Sequence, residues 1–207
     1  MTSLEQALQR LPLVAILRGV RADEAEAVGE ALVDAGFALI EVPLNSPSPL
    51  DSIARLQRRF GGRCLIGAGT VLRADEVAAV AATGARLIVA PNADPAVIRA
   101  AKAQGLICLP GVATPSEAFA ALAAGADALK AFPAEGLPPA VIKAWRAVLP
   151  KDRAILPVGG IEPASMAAYR AAGATGFGLG SALYQPGRTP EDIAARARAF
   201  VAAWRQG

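Results

Sequence analysis

Short apolar runs alternate along this chain with Ala-rich segments whose apolar positions recur at helical spacing. The runs predict eight strands, over 13–18, 37–43, 64–69, 86–90, 106–110, 126–131, 154–158 and 174–179. The segments between them predict helices over 23–35, 49–60, 74–83, 94–104, 116–124, 138–148, 163–172 and 190–205, with a short helix over 3–10 before the first strand. Four glycines, Gly62, Gly84, Gly105 and Gly125, follow one another at spacings of 22, 21 and 20 residues. We expect each to end its helix in the left-handed conformation.

This alternation predicts a (β/α)8 barrel with a short N-terminal helix, formed by a single domain over residues 1–207. An open, doubly wound parallel sheet is the alternative. Proline stands at the expected first position of four helices, at Pro95, Pro115, Pro163 and Pro190. The composition agrees, because 54% of the residues are hydrophobic and 19% are charged, as expected for strands buried on both faces.

The composition also argues against several classes of function. The chain has no histidine, which excludes His-based general bases, Ser-His-Asp triads and His-ligated zinc. Cys64 and Cys108 lie in apolar runs and are expected in the core. The arginines are scattered and the net charge is only +3, so we expect no nucleic-acid partner. No apolar run is long enough to span a membrane and the N-terminus lacks a signal-peptide core, so we expect a cytoplasmic protein.

Lys130 is the one lysine, among four, that lies inside an apolar, strand-like segment. Burial disfavours the ammonium form, so we expect its pKa to fall and the neutral amine to be accessible. A neutral amine in a dry pocket attacks carbonyl carbons and forms Schiff bases. The alternative is a structural lysine whose stem lies along the strand while its ammonium reaches water.

Glu41 is a second charged residue inside an apolar strand, between Ile40 and Val42. An unpaired buried carboxylate is costly, so Glu41 is expected to be paired or functional. Its strand and that of Lys130 are both even-numbered, and alternate strands of a barrel fill the same interior layer. The two side chains are therefore predicted to share one layer, either as an acid/base and nucleophile pair or as an ion pair without chemistry.

Other candidate site residues follow the carboxyl ends of the predicted strands, where barrel active sites form. Gly159, Gly160, Gly180 and Ser181 follow the last two strands and predict a phosphate site, because exposed N–H groups bind anions. Candidates for binding a substrate carboxylate or hydroxyl are Arg18, Asn45, Thr70 and Phe132. Tight turns, strand-end caps and rim ion pairs are the structural alternatives for these positions.

Several motifs together resemble one known family. They are EVPLNSP (41–47), GAGTVL (67–72), PGVATPSEA (110–118), LKAFPAE (129–135), PVGGI (157–161) and GLGSALY (178–184). They are similar to motifs of the 2-keto-3-deoxy-6-phosphogluconate and 6-phosphogalactonate aldolases, over nearly the whole chain. The resemblance implies a class I pyruvate aldolase built as a trimer of (β/α)8 barrels, without a metal or another cofactor. Its partners would be pyruvate and a phosphorylated keto-deoxy sugar acid.

The resemblance also implies roles for single residues. Lys130 matches the Schiff-base lysine and Glu41 the acid/base glutamate, while Thr70 matches a threonine near the pyruvate carboxylate. Gly160 and Ser181 match phosphate-binding positions.

One position departs from the phosphogluconate pattern. Asn45 stands where the phosphogluconate aldolases usually carry arginine, which with ILRG (16–19) resembles the phosphogalactonate branch more closely. Arg18 would then supply the missing cation. A phosphogluconate aldolase of the same mechanism, a metal-dependent lyase and a non-catalytic phosphosugar-binding barrel are the alternative functions.

Overall fold

The structure is a computed structural model and describes residues 3–206. The strands are β1 (Leu13–Ile16), β2 (Leu39–Pro43), β3 (Leu65–Gly69), β4 (Leu87–Val89), β5 (Ile107–Leu109), β6 (Gly111–Val112), β7 (Leu129–Ala131), β8 (Ile155–Pro157) and β9 (Phe177–Leu179). The helices are α1 (Leu4–Arg10), α2 (Ala25–Asp34), α3 (Pro49–Phe60), α4 (Ala74–Ala82), α5 (Pro95–Ala103), α6 (Pro115–Ala123), α7 (Pro139–Arg146), α8 (Met166–Ala171) and α9 (Pro190–Gln206). Short 3₁₀ turns cover Ala134–Gly136 and Pro163–Ser165.

The strands form two parallel sheets that are close to each other at both ends. One sheet has the order β5-β4-β3-β2-β1-β9, and the other has the order β6-β7-β8. At one junction β5 continues through Pro110 into β6, and the Lys130 N–H donates to the Pro110 carbonyl at 3.0 Å. At the other junction a single parallel bridge joins Val158, directly after β8, to Gly178 in β9. The eight predicted strands are therefore nine segments, because Pro110 interrupts the fifth.

Two apolar clusters occupy the two faces of the sheets. The larger cluster packs strand residues such as Ile40 and Val42 against the surrounding helices. The smaller cluster gathers alternate residues of both sheets: Val14, Leu39, Leu65, Leu87, Val89, Ile107, Leu109, Ala128 and Leu156. Helix α1 contributes Ala7 to it, with Leu4 and Leu8 packed alongside. Because neighbouring strand residues point to opposite faces, Glu41 and Lys130 point the same way as this inner cluster.

The predicted elements are present, and their differences from the structure are local. Gly84, Gly105 and Gly125 have positive φ, but Gly62 does not, since α3 ends at Gly61 with φ of −59°. The predicted helix over 163–172 begins as a 3₁₀ turn. The strands are shorter than predicted, because several residues of each apolar run lie before or after the hydrogen-bonded ladder. Across residues 3–206, no helix has the length and apolar character needed to cross a membrane.

Candidate active site

Glu41 and Lys130 extend into the same interior space from β2 and β7. Both are buried, with relative exposures of 2% and 7%. In the ladders Glu41 pairs with Ile16 and Gly67, and Lys130 pairs with Gly111 and Leu156. Both side chains line one small cavity together with residues of the apolar inner cluster, so the structure brings together the two residues that the sequence predicts to share a layer.

A small cavity separates the two side chains from the apolar interior. Its volume is about 10 Å³, and its other walls are apolar or glycine: Val14, Ile16, Val89, Leu109, Leu156, Val158 and Gly178. That volume suits a single water molecule at most. A substrate carbonyl therefore has to reach Lys130 from the larger open cleft, which Lys130 also lines.

The Lys130 amine has few partners that would stabilise its charge. Within the described residues no carboxylate oxygen lies within 4.0 Å of its Nζ, so it has no salt bridge. Its Nζ atom lies over the face of Phe132, 4.7 Å from the ring centroid. Burial lowers the pKa of Lys130, the Glu41 carboxylate opposes that effect, and Arg18 adds to it. The neutral amine that nucleophilic attack requires is thus made more accessible.

Glu41 is also buried with little to stabilise its charge, and its pKa moves in the opposite direction. Its Oε2 atom is buried and has no hydrogen-bond partner among residues 3–206. The oxygen lies against the backbone of Gly69, where a Cβ would overlap it. Burial raises the pKa of Glu41 to about 6, although Lys130 and Arg18 both act to lower it. A carboxyl group with this pKa exchanges protons readily near neutral pH, as general acid/base catalysis requires.

Three of the predicted binding residues contact one another at the ends of β1, β2 and β3. Arg18 Nη1 donates to Asn45 Oδ1 at 2.7 Å, and Nη2 makes a longer contact of 3.5 Å with Thr70 Oγ1. Thr70 has φ of 56°, an uncommon conformation for a β-branched residue that is often found at functional sites. The three polar side chains form a patch beside the buried pair that can bind a carboxylate or hydroxyl groups.

The remaining predicted residues line one open cleft of about 200 Å³. The cleft brings together Arg18, Lys130, Phe132, Gly159, Gly160, Gly180 and Ser181. Gly159 and Gly160 both have positive φ, of 112° and 60°, so this turn depends on glycine. Lys130 is therefore at one part of the cleft wall and the two glycine-containing turns are at another.

Sequence reasoning missed two carboxylates in the cleft wall, Glu135 and Glu162. The side chain of Glu135 lies against Gly159 and Gly160, so a Cβ on Gly159 would overlap its Oε2. The signal for Glu135 was present, since an acidic residue follows Lys130 closely in LKAFPAE. Ile16, Val158 and Ile161 also line the cleft, and as apolar residues they carried no such signal.

Comparison with known proteins gives consistent relatives. The family model described as KDPG and KHG aldolase matches residues 4–196. A protein of Rhizobium meliloti named probable 2-dehydro-3-deoxy-6-phosphogalactonate aldolase is 52% identical, over 93% of this chain and 91% of its own. The 2-dehydro-3-deoxy-6-phosphogalactonate aldolase of Escherichia coli K12 is 50% identical, over 95% of this chain and 96% of its own. A solved structure described as native KDPGal superposes with a TM-score of 0.94 at 50% identity, covering 95% and 96% of the two chains.

Proposed function

The chain belongs to the KDPG and KHG aldolase family, and we infer that it is a Schiff-base-forming lyase that cleaves 2-dehydro-3-deoxy-6-phosphogalactonate to pyruvate and glyceraldehyde 3-phosphate. The observation that carries the mechanism is a buried lysine that has no ion pair among residues 3–206, at the wall of an open cleft and in the same small cavity as a buried carboxyl group. Both groups have pKa values displaced toward neutrality.

The reaction begins when the neutral Lys130 amine attacks the C2 carbonyl carbon of the sugar acid. Glu41 donates the proton with which the former carbonyl oxygen leaves as water, and the product is a protonated imine. The C3–C4 bond then breaks and its electron pair forms the C2–C3 double bond of an enamine. The Glu41 carboxylate, which has just given up its proton, accepts the proton of the C4 hydroxyl, and that carbon becomes the aldehyde of glyceraldehyde 3-phosphate. Glu41 then returns a proton to C3 of the enamine, and addition of water to the resulting imine releases pyruvate and the free amine.

The remaining polar groups serve to hold the substrate. Arg18, Asn45 and Thr70 bind the C1 carboxylate and nearby hydroxyl groups, since together they offer a guanidinium, an amide and a hydroxyl. Phe132 limits the space beside the amine. The turns containing Gly159, Gly160, Gly180 and Ser181 bind the phosphate at the far end of the cleft.

Preference for the galactonate configuration at C4 is supported by the two named relatives and by Asn45. The alternative is a phosphogluconate aldolase of identical mechanism. Assay of both 6-phosphorylated acids separates the two, since we expect the galactonate substrate to have the higher kcat/KM.

We further propose that residues 1–207 form one domain, and that the two sheets close into a single (β/α)8 barrel. The shared inner cluster and the contacts at both junctions support the closed barrel. We propose a cytoplasmic homotrimer on the basis of the resemblance, and the exposed apolar side chains of Leu72, Phe119 and Val148 are compatible with buried interfaces. Analytical ultracentrifugation tests the oligomeric state.

The decisive experiment is treatment with pyruvate and borohydride, followed by peptide mass spectrometry. We expect one reduced pyruvyl adduct, on Lys130, with the Lys102→Met variant labelled as fully as the native protein. A folded protein that binds the phosphorylated acid but forms no adduct would instead be a non-catalytic phosphosugar-binding barrel. Full cleavage activity that is lost with EDTA and restored by a divalent metal would instead indicate a metal-dependent lyase.

A further inference from the structure

The turn after β9 is held from behind by two arginines that the reaction itself does not use. Arg188 Nη1 donates to the carbonyl of Ser181 at 2.8 Å and to that of Ala182 at 3.3 Å. Arg196 Nη1 also donates to the Ala182 carbonyl, at 3.3 Å. Ser181 and Ala182 both line the open cleft. The two arginines that hold their carbonyl groups come later in the chain, after the turn.

Asp192 holds both guanidinium groups in place. Arg196 Nε donates to the two carboxylate oxygens of Asp192 at 3.1 Å, and Arg188 Nε lies 3.6 Å from one of them. The Arg188 side chain is only 16% exposed, so its position is fixed by packing as well as by charge. The group carries two positive charges and one negative charge, which leaves a net positive charge behind the turn.

This bracing determines where the Ala182 amide points. In a trans peptide the C=O and N–H groups point in opposite directions. Because Arg188 holds the Ser181 carbonyl on one side, the N–H of Ala182 faces the other side. Among residues 3–206 the Ser181 and Ala182 N–H groups have no hydrogen-bond acceptor, whereas the Leu183 and Tyr184 N–H groups both donate to Gly180.

The charged side chains around the cleft favour such a device. Among residues 3–206, the cationic side chains that line the cleft are Arg18 and Lys130, while Glu135 and Glu162 also line it and repel anions. Amide groups and a cation behind them therefore have to offset the two carboxylates when a phosphate binds.

We propose that Arg188, together with Asp192 and Arg196, is a positioning device that fixes the Ala182 amide and supplies positive potential for the phosphate of the substrate. This inference rests on the proposed function. It assigns phosphate affinity, and not the chemical step, to residues outside the cleft.

The test compares a phosphorylated with an unphosphorylated substrate in Arg188→Met, which keeps the length of the side chain and removes its donors. We expect KM for 2-dehydro-3-deoxy-6-phosphogalactonate to rise about tenfold, the loss typical of hydrogen bonds to charged groups, while kcat changes less than about twofold. The kcat/KM for unphosphorylated 2-dehydro-3-deoxygalactonate should stay at the native value. Asp192→Asn should shift KM in the same direction by a smaller factor.

The matched control is Arg198→Met, which removes an exposed positive charge from α9, the helix that carries Asp192 and Arg196, without touching the turn. We expect native KM values for both substrates. Arg188→Lys keeps a positive charge, so its KM for the phosphorylated substrate should lie between those of the native protein and Arg188→Met. If Arg188→Met fails to fold, Arg188→Lys takes its place in the test. Equal losses for both substrates, or a native KM for the phosphorylated one, would overturn the positioning role.

Pyruvate trapping by borohydride separates this proposal from the proposed function, because pyruvate carries no phosphate. If native protein forms no Lys130 adduct, the proposed function fails first. If native protein and Arg188→Met form the adduct equally but do not differ in KM for the phosphorylated substrate, only the positioning role is wrong.

Discussion

Two lysines of this chain show how position decides what a charged group does. Lys102, at the end of α5, donates to both oxygens of Asp127 at 2.7 and 2.8 Å and to the Leu106 carbonyl at 3.0 Å. Asp127 in turn accepts from the Cys108 N–H at 2.8 Å. Lys130 has no comparable partner in the described part of the chain and is far more deeply buried.

The two lysines therefore affect the stability of the fold in opposite ways. The Lys102 ammonium donates to three oxygen atoms, so the Lys102–Asp127 pair stabilises the junction between α5 and the start of β7. At Lys130 and Glu41, burial without pairing makes the charged forms costly, which is what prepares the groups for proton transfer and attack.

The largest effect is expected for Lys130→Met. The variant keeps the bulk of the side chain but lacks the nucleophile, so turnover should fall by on the order of 10⁴- to 10⁶-fold, as for loss of other catalytic nucleophiles. Methionine also removes the cost of burying an ammonium, so thermal stability should be equal or higher. Steady-state kinetics and thermal unfolding measure the two effects. A variant that retained native turnover would show that Lys130 is not the reacting amine.

Glu41→Gln should slow turnover by about 10²- to 10⁴-fold, the range for loss of a general acid/base. Trapping with pyruvate should still produce some Lys130 adduct, because the amine remains. Because Glu41 first acts as an acid, the native kcat/KM should fall as the pH rises through about 6, the pKa of Glu41, and this limb should be absent in the variant. A native-like pH profile in Glu41→Gln would assign the titration to another group.

The same variant should also change stability in a pH-dependent way. Since burial raises the pKa of Glu41 from 4.5 to about 6, the ionised carboxylate destabilises the folded state at higher pH. The penalty is absent below pH 4.5, develops between 4.5 and 6, and is complete above 6. Glutamine removes it, so Glu41→Gln should gain roughly 2 kcal/mol of unfolding free energy at pH 8 and little at pH 4. Urea unfolding at both pH values measures the gain, and a loss at pH 8 would contradict it.

Sequence reasoning identified Lys130 and Glu41 because a charge inside an apolar strand conflicts with its surroundings, and such conflicts are visible without coordinates. It placed both in one layer because barrel strands alternate. It missed Glu135 and the break at Pro110, which depend on how the chain turns after β7 and on which strand offers a hydrogen-bond partner. The bracing of Ser181 by Arg188 was equally invisible, because an arginine in the polar segment before α9 looks like any other in the sequence.

Gly69→Ala tests whether the position of Glu41, rather than its presence, matters. A Cβ at Gly69 would overlap Glu41 Oε2, so the carboxylate has to move, and misplacement by about 1 Å costs about 10²-fold in rate. Gly62→Ala is the matched control, because a Cβ there meets no atom within 4 Å. We expect the control to keep native kinetics. Native kinetics in Gly69→Ala as well would mean that the carboxylate tolerates displacement.

Lys102→Met gives the smallest effect on activity and completes the contrast. Within the described part of the chain, the variant leaves the Asp127 carboxylate with the Cys108 N–H as its one remaining donor, so we expect a loss of about 1–3 kcal/mol of unfolding free energy. Turnover should stay within about twofold, since the pair contacts neither the cleft nor the cavity. Lys143→Met, at an exposed position of α7, should change neither quantity. If Lys102→Met instead lost turnover while its stability stayed native, Lys102 would have to act on the active site. The ion pair of Lys102 would then no longer explain why it differs from Lys130.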